Sequence, residues 1–197
     1  EIYRFTPVTG TEQQPDKSWL VKTSKGNIKT EVVINAAGLW GREVGKMAGL
    51  DLPLLPAEHQ YFVTETIPEI ESIGRRLPSI ADRDGEYYLR QEGNGLLVGA
   101  YEKDVKIWAE DETPSGFGHE LFPDDLDRIE ENVLRAISRV PVLGGAGIKR
   151  VINGPMIWSP DSNALFGPVP ELDGYYLCNG IVPGFSQSGG LGELLAE

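Results

Sequence analysis

A mixed α/β (α+β) fold is predicted for this chain of 197 residues, because strands that run into glycine and then into helices occur beside strands joined as hairpins. An apolar strand from Thr30 to Gly38 leads directly into a helix, and a second strand, Tyr175 to Cys178, is followed by glycines and a short apolar helix. The longer strands between these two junctions predict a mixed sheet. Length alone predicts one domain or one and a half.

Composition and charge restrict the class of protein. A net charge of −12 and a pI near 4.7 argue against nucleic acid or an anionic membrane surface as a partner. A hydrophobic share of 40% suffices for a real core, and no apolar run reaches the roughly 20 residues that a bilayer span needs. The single cysteine, Cys178, excludes an internal disulfide and fits a reducing compartment. The expectation is a soluble intracellular protein.

Both ends of the sequence are typical of an internal piece of a longer polypeptide. The chain opens at Glu1 in strand-like sequence, and it closes with Glu193 to Glu197, which is too short for a helix that is stable alone. We therefore expect the chain to represent part of a larger protein.

The first 38 residues predict a β-meander. Apolar residues favour strands at 2–8 and 19–23, separated by polar turn residues, and a third strand that ends at Gly38. The apolar run Val32-Val33-Ile34 predicts that this last strand is covered on both faces.

Gly38 lies where a ligand is expected in an open α/β sheet, at the carboxyl end of a strand. The helix that follows, Trp40 to Ala48, is stopped by Gly49 and could direct its N-terminal amide groups at an anion. A plain strand-to-helix turn that needs glycine only for packing explains the same residues equally well. Both interpretations stay open on these residues alone.

The middle of the chain predicts longer strands and one long helix. Strands are expected at 59–65, 86–91 and 96–101, and Glu92-Gly93-Asn94-Gly95 predicts a hairpin turn between the last two. Residues Phe122 to Val140 have apolar side chains at helical spacing and predict an amphipathic helix. Its acidic residues are expected to form a solvated face and no metal site: Asp124, Asp125, Asp127, Glu130 and Glu131.

Strands are also predicted at 148–158 and 175–178, with a loop over residues 159–174. A run of glycines is expected between the second of these strands and the short apolar helix: Gly180, Gly184, Gly189, Gly190 and Gly192. Two junctions of strand, glycine and helix can hold a large ligand from different sides.

A few side chains of the middle segment are candidates for chemistry. His59 could accept a proton near neutral pH, although a surface or hydrogen-bonded structural histidine is the more frequent role. Tyr87 and Tyr88 are adjacent on a strand, so at most one of them lines a given pocket. Arg90 shares the face of Tyr88 and could bind a carboxylate or form an ordinary surface pair.

Several enzyme classes are excluded from this piece by the motifs that it lacks. The sequence contains no P-loop, no GxGxxG after a strand, no Ser-His-Asp spacing and no cysteine or histidine cluster for a metal.

The chain resembles a known family in six blocks that follow in fixed order: VINAAGLWGREVGKMAGL, LPAEHQYFVTETIPE, EYYLRQEGNGLLVGAYE, GFGHELFPDDLDRIEENV, GIKRVINGPMIWSPDS and FGPVPELDGYYLCNG. Along nearly its whole length it is similar to the flavin-dependent dimethylglycine and sarcosine dehydrogenases, within the wider D-amino-acid-oxidase-like group. The blocks around His59-Gln60-Tyr61 and Tyr87-Tyr88-Leu89-Arg90-Gln91 resemble dimethylglycine dehydrogenase more closely.

The resemblance implies an incomplete FAD-binding, Rossmann-like domain, formed by residues 1–50 and 165–197, with a mixed-sheet substrate domain, residues 51–164, inserted between its parts. It implies oxidation of an N-methyl group of a small amino acid by hydride transfer to flavin. The iminium product would give formaldehyde or transfer its carbon to tetrahydrofolate, and an electron-transfer flavoprotein or oxygen would accept the electrons. Choline and glycine catabolism and one-carbon metabolism, in bacterial cytoplasm or the mitochondrial matrix, are the implied setting.

Site residues follow from the same resemblance. His59 and Tyr88, and less directly Tyr87, would be catalytic, because the amine must lose its proton before hydride can leave. Arg90 and Trp158 would bind the substrate. Cofactor contacts are implied for Val8, Ala37, Gly38, Trp40, Gly180, Gly184, Phe185, Ser186, Gly189 and Gly190.

Three features of the family are missing from this sequence. They are the N-terminal βαβ unit with its GxGxxG, the nearby histidine to which flavin is attached in many members, and the C-terminal folate-binding region. The piece is therefore expected to hold FAD weakly and to be inactive alone. Two alternatives remain: a non-catalytic protein like the regulatory subunit of pyruvate dehydrogenase phosphatase, which resembles the same family, and a flavoprotein for another secondary amine.

Overall fold

The computed structural model describes all 197 residues, and the chain forms two compact units. The first unit comprises Glu1–Ala57, Ala109–Gly116 and Met156–Glu197, and the second comprises Glu58–Trp108 and Phe117–Pro155. No helix combines the length and the apolar sequence that crossing a bilayer requires. The strands and helices in chain order are β1 Val8–Gln13, β2 Trp19–Thr23, β3 Gly26–Thr30, β4 Val33–Asn35, α1 Gly41–Met47, β5 Leu55–Thr64, α2 Pro68–Glu71, β6 Ile80–Asp82, β7 Tyr87–Glu92, β8 Gly95–Ala100, α3 Glu130–Arg139, β9 Ile148–Trp158, β10 Leu165–Pro168, β11 Tyr175–Asn179 and α4 Gly184–Ala196.

The first unit contains an antiparallel meander of β1, β2 and β3, in that order. A meander was expected, but its first strand was placed wrongly, because residues 1–7 form no strand. Its third strand was also placed wrongly, because the strand before Gly38 is β4 of another sheet and β3, Gly26–Thr30, takes the third place. Ile2 and Phe5 are 90% and 80% exposed, so these apolar residues bury no face of a sheet. Phe5 also has φ 53°, which interrupts an extended backbone.

A second sheet of the first unit has the order β10-β11-β4, with β4 parallel and β10 antiparallel to β11. The prediction that β4 is covered on both faces is wrong, since Val32 and Ile34 are 47% and 50% exposed. The strand lies at the edge of this sheet, with β11 as its neighbour. Strand β10 falls inside the stretch that was expected to be a loop, so that prediction is also wrong.

The helix predicted after β4 is confirmed. A 3₁₀ turn, Gly38–Trp40, leads into α1. Gly38 and Gly49 have φ 56° and 80°, a left-handed conformation that glycine adopts without strain, so both glycines serve the turns that enter and leave this helix. Trp19 and Tyr175 belong to one buried apolar cluster of this unit, with ring centroids 5.1 Å apart.

Of the five glycines expected before the C-terminal helix, four lie within the helix, and Gly180 precedes it. Helix α4 already begins at Gly184, because the amide groups of Ser186 and Gln187 donate to the carbonyl of Pro183. The helix is 13 residues long and buries none of its side chains. The expectation of a short apolar helix at residues 193–197 is therefore corrected.

The second unit is built on a five-stranded sheet of order β6-β7-β8-β5-β9. The predicted hairpin of β7 and β8 is confirmed: Glu92 pairs with Gly95, and Gly93, at φ 60°, supplies the first turn residue. One face of the sheet packs on α3 to form the main core. The buried residues of that core are Phe62, Ile67, Ile70, Tyr87, Leu89, Leu96, Val98, Ala100, Ile129, Ala136 and Leu143.

The amphipathic helix begins later than predicted. Helical structure starts with a 3₁₀ turn at Leu126–Ile129 and continues as α3, whereas residues 122–125 are not helical. The reason lies in their carbonyl groups, which in a helix would accept from amides four residues later. The carbonyl of Pro123 accepts from the Asn153 side chain at 2.8 Å, and that of Asp125 accepts from the Gln60 side-chain amide. The acidic residues of this segment are exposed as expected, except for half-buried Asp125.

Candidate functional site

Strand pairing in the second unit brings three residues directly opposite one another. Gly99 of β8 pairs with Tyr61 of β5 on one side and with Tyr88 of β7 on the other. Directly opposite residues share a face of the sheet, and residues two apart in a strand also share it. His59 therefore lies on the same face as Tyr61, which is the face opposite to the Phe62 and Val98 core.

His59 is surrounded by tyrosine rings on this face. Its Nε2 lies 3.3 Å from the hydroxyl oxygen of Tyr88, within hydrogen-bond distance. The His59 ring stacks on that of Tyr101 with centroids 5.1 Å apart and planes 24° from parallel. Tyr88 and Tyr101 are themselves 5.5 Å apart. The structure thus brings together two residues expected from the sequence, His59 and Tyr88, and adds Tyr101 and Tyr61.

Burial keeps the two central groups neutral. It is the main reason why the pKa of His59 is lowered to about 4, and the positive charge of Arg128 lowers it further. Burial also raises the pKa of the Tyr88 hydroxyl, with nearby Tyr101 and Tyr61 adding to the effect. At neutral pH the His59 imidazole is therefore uncharged and Tyr88 keeps its proton. In that state Tyr88 can donate its hydrogen bond to the unprotonated nitrogen of His59.

Tyr87 and Arg90 are not part of the ring cluster around His59. Tyr87 is 2% exposed on the core face and interacts with Asp82, because adjacent residues of β7 point to opposite faces. The structure therefore does not bring Tyr87 to the His59 cluster. Arg90 is on the face of Tyr88, but it is exposed and pairs with Glu92 at 2.5 Å.

Charged residues form a buried layer that was not expected from the sequence. Glu58, Glu102 and Arg128 have side chains that are 7%, 6% and 9% exposed. Burial raises the pKa of the Glu102 carboxyl. Burial acts in the same direction on Glu58, but hydrogen bonds from Asn153 and Lys106 outweigh it, so the pKa of Glu58 is lowered.

No group of three or more histidine, cysteine or acidic side chains is arranged to hold a metal ion.

The strand-to-helix junction after β4 carries several of the expected cofactor residues. Gly38 is exposed, and a Cβ built there would meet no atom within 4 Å. The amide of Ala37 donates to the Asn35 side chain at 3.2 Å, and Trp40 Nε1 donates to the Pro114 carbonyl at 3.0 Å. The residues on either side of Gly38, Ala37 and Trp40, are thus fixed by hydrogen bonds, and the Gly38 backbone itself is accessible. Val8 is the first residue of β1 and is 38% exposed.

Two buried asparagines hold this junction together. Asn35 donates to the carbonyl of Gly41, and Asn179 of β11 donates to the carbonyl of Asn35, each at 2.8 Å. Any side chain at Gly41 would overlap the Asn179 amide, so the close approach requires glycine there. Sequence reasoning missed both asparagines. An asparagine at the end of each of the two parallel strands was the signal available.

The C-terminal glycine segment places the remaining expected residues. Gly180 is buried with φ 66°, and a Cβ there would lie 3.0 Å from Leu54. Helix α4 carries Phe185, which is fully exposed, and Ser186, which is also exposed. Open space surrounds the Cα atoms of its glycines, including Gly184, Gly189 and Gly190. Trp158, at the end of β9, is half-buried and belongs to the first unit, whereas His59 and Tyr88 belong to the second.

Sequence signals existed for some of the residues that were missed. A two-residue turn at Gly93-Asn94 fixes the register of β7 and β8, so Gly99 opposite Tyr88 follows from the hairpin alone. Tyr61 opposite Gly99 depends on a pairing between strands that are distant in sequence. Nothing near Arg128 in the sequence indicates its buried partners.

The chain is similar to known proteins along its whole length. The family model described as FAD dependent oxidoreductase (DAO) matches residues 1–197. The chain is 46% identical to rat mitochondrial dimethylglycine dehydrogenase over 196 residues, which cover 97% of this chain and 23% of that protein. It is 41% identical to mouse mitochondrial sarcosine dehydrogenase over 178 residues, covering 90% of this chain and 19% of that protein.

Two further comparisons bear on function and fold. The mouse mitochondrial regulatory subunit of pyruvate dehydrogenase phosphatase is 32% identical over 201 residues, covering 100% of this chain and 22% of that protein. The crystal structure of L-proline dehydrogenase from P. horikoshii superimposes with a TM-score of 0.76 at 28% identity, covering 98% of this chain and 49% of that one. The chain thus spans about a fifth of the length of these curated relatives and half of the solved structure. Its mixed α/β fold, with several sheets, is confirmed by this likeness. The chain belongs to the FAD dependent oxidoreductase (DAO) family.

Proposed function

We propose that this chain is part of an enzyme that oxidises the N-methyl group of dimethylglycine or of a similar N-methyl amino acid. The observation that carries the proposal is the hydrogen-bonded pair of neutral His59 and Tyr88 within a cluster of tyrosine rings. Similarity to dimethylglycine and sarcosine dehydrogenases over nearly the whole chain supports the same substrate class.

The residues of the first unit are compatible with FAD. Gly38 and the glycines of α4 present backbone without side chains to open space, which allows a large cofactor to approach closely. Residues 1–50 and 165–197 would form part of the FAD-binding domain, and residues 51–164 the substrate domain. The cofactor would be held by Ala37, Gly38, Trp40, Gly180 and the exposed residues of α4, with Val8 at the margin. FAD, when bound, supplies the acceptor for the hydride of the N-methyl group.

The tyrosine rings of the second unit suit a methylated amine. Cationic amines are attracted to the faces of aromatic rings, and N-methyl groups add apolar contact with them. Tyr61, Tyr88 and Tyr101 would supply these faces, because all three interact around His59 or Gly99. Arg90, two residues after Tyr88 on the same face, would pair with the substrate carboxylate in place of Glu92.

Proton transfer is the task proposed for His59. An N-methyl amine is protonated in water, and its nitrogen must release that proton before hydride can leave the methyl group. Because the single lone pair of Nε2 accepts the hydrogen bond of Tyr88, the proton would be relayed: the substrate nitrogen gives its proton to the Tyr88 oxygen as Tyr88 passes its own proton to Nε2. Tyr88, with its raised pKa, is protonated before and after this transfer and orients the imidazole through the same hydrogen bond. Tyr87 would take no part, because it lies in the core.

The first test is the absorption spectrum of the full-length protein, recorded without oxygen before and after addition of dimethylglycine. We expect a flavin band that bleaches. Bound flavin that stays oxidised with dimethylglycine, sarcosine and related secondary amines would contradict the proposed substrate class. Bleaching by another secondary amine alone would assign that amine as substrate. Reoxidation by oxygen or only by an electron-transfer flavoprotein would then identify the electron acceptor.

A regulatory, non-catalytic role is the second candidate, and the 32% identity to the phosphatase regulatory subunit favours it. Absence of flavin from the purified full-length protein would support this candidate over the enzyme. For residues 1–197 expressed alone, we expect loss of FAD on gel filtration and negligible activity, because the sequence contains no GxGxxG phosphate-binding turn. Stoichiometric flavin after gel filtration would contradict this expectation.

A further inference from the structure

Two buried carboxylates are the immediate sequence neighbours of the stacked rings. Glu58 precedes His59 in β5, and Glu102 follows Tyr101 just after β8. Because successive strand residues point to opposite faces, Glu58 is directed away from the His59 ring. A carboxylate buried in this way is retained in a fold only where a cation or hydrogen bonds compensate its charge. The groups that pair with Glu58 and Glu102 therefore also hold the backbone beside the His59 and Tyr101 rings.

Arg128 supplies the cation that both carboxylates share. Its Nη2 lies 3.5 Å from Glu58 Oε2, and its Nη1 lies 3.4 Å from Glu102 Oε1. The Glu58 contact is aligned as a hydrogen bond, and the Glu102 contact is an ion pair without that alignment. Asp125 Oδ2 lies 3.5 Å from the Arg128 Nε. Glu58 has a second cation in exposed Lys106, at 3.0 Å, whereas Arg128 is the cation that reaches Glu102.

The turn that carries Arg128 is itself fixed to the sheet. Its neighbour Ile129 is fully buried in the core. The Gln60 side chain of β5 bonds the backbone of Asp125 through both its amide nitrogen and its oxygen. Asn153 of β9 donates to Glu58 Oε2 at 3.0 Å and to the carbonyl of Pro123 at 2.8 Å. Arg128 is thus held in place by the sheet, and it contacts β5 through Glu58 and the end of β8 through Glu102.

We propose that Arg128 is a positioning residue, which ties the residue before His59 to the residue after Tyr101 and thereby sets the stacking of the two rings. The proposal rests on the proposed function in assuming that these rings serve the amine. A second effect has the same origin. The charged or titratable groups around His59 are Tyr61, Tyr88, Tyr101 and Arg128, and Arg128 alone among them carries a positive charge that opposes protonation of the imidazole.

The test compares three variants of the full-length protein: Arg128→Met, Arg128→Lys and the control Arg139→Met. Arg139 lies on α3, is 68% exposed and contacts Asp82 only at 3.9 Å. Two quantities are measured: the pKa of His59 by NMR titration, assigned with His59→Gln, and the rate of flavin reduction by dimethylglycine. Arg128→Met should raise the pKa of His59 by about half a unit or more, since a cation is removed and two carboxylates lose their partner.

The lysine variant separates charge from geometry. Arg128→Lys keeps the charge, so the pKa of His59 should stay near that of the wild type. One ammonium cannot span both carboxylates as the guanidinium does, so flavin reduction should slow by about tenfold. Arg139→Met should change neither quantity. Reduction rates within twofold of this control in both Arg128 variants would overturn the proposal.

A further variant controls for loss of folding, because Arg128→Met leaves buried carboxylates without their cation. Glu58→Gln/Glu102→Gln/Arg128→Met removes all three charges and should fold, yet still reduce flavin slowly; wild-type reduction by this variant would overturn the proposal. If no N-methyl amine reduces the wild-type flavin, the proposed function fails. The titration of His59 then decides the role of Arg128 by itself, and an unchanged pKa in Arg128→Met counts against it.

Discussion

Tyr88 and Gly99 are directly opposite residues of β7 and β8, and the Tyr88 ring occupies the space that a side chain at Gly99 would fill. This relationship lets the Tyr88 hydroxyl reach across the β8 strand to His59 on β5, 3.3 Å away. A glycine in the interior of a strand weakens the strand, so its presence marks a close approach. Here the close approach is made by the tyrosine that is proposed to orient the catalytic histidine.

Gly99→Ala is expected to displace the Tyr88 ring and slow flavin reduction by about tenfold or more. Overpacking at this position should cost about 1 to 3 kcal/mol of stability. Stopped-flow reduction and a thermal melt measure the two effects. Gly10→Ala is the matched control, because the new Cβ in β1 would meet only Lys22, at 3.5 Å. A Gly99→Ala enzyme that reduces at the wild-type rate would show that the ring position is unimportant.

Tyr88→Phe and Tyr87→Phe distinguish the two adjacent tyrosines. Loss of the Tyr88 hydroxyl removes the hydrogen bond to His59 and should slow flavin reduction by about 10- to 100-fold without unfolding the protein. Loss of the Tyr87 hydroxyl removes its interaction with Asp82 in the core and should cost about 1 kcal/mol of stability, with little change in rate. Reduction rates that rank in the opposite order would reverse the assignment of the two tyrosines.

His59 is expected to make stability depend on pH. Its pKa is lowered from 6.5 to about 4 in the folded protein, so the unfolded chain binds a proton more readily. The contribution of the neutral ring is complete above pH 6.5 and is lost progressively as the pH falls towards 4, by an amount on the order of 2 to 3 kcal/mol. Urea unfolding at pH 7 and pH 5 measures it. The loss should be smaller in His59→Gln, and an equal loss in both proteins would refute the assignment.

Arg42→Met is expected to release the segment Ala109–Pro114 from α1. Buried Arg42 donates to the carbonyls of Ala109 at 3.0 Å and Glu110 at 2.7 Å, and its loss leaves both without that partner. Destabilisation of about 2 to 4 kcal/mol and faster cleavage after Glu110 by a glutamate-specific protease should follow. Lys46→Met is the control, because exposed Lys46 makes only a 3.5 Å contact with the Asp111 carbonyl. Equal cleavage of the two variants would contradict this role.

Much of the fold was predictable because its signals are local. Alternating apolar residues and the Gly93-Asn94 turn predicted β7, β8 and their hairpin, and the glycine after β4 predicted the helix that follows. Predictions failed where apolar residues pack against no other segment, and where backbone groups bond to a strand that is distant in sequence. Ile2 and Phe5 are apolar but exposed, and the carbonyls of Pro123 and Asp125 accept hydrogen bonds from β9 and β5 instead of from amides of a helix.

The sequence by itself determined the family, the mixed α/β class, the order of most strands and the candidacy of His59 and Tyr88. The tertiary structure decided which tyrosine joins His59, that Tyr61 and Tyr101 complete the ring cluster, and that Arg128 compensates two buried carboxylates. Glu58 and Arg128 are 70 residues apart in the chain, and β5 pairs directly with β8 although β6 and β7 separate them in sequence. Such contacts depend on how distant segments pack, and a pattern of neighbouring residues carries no record of that packing.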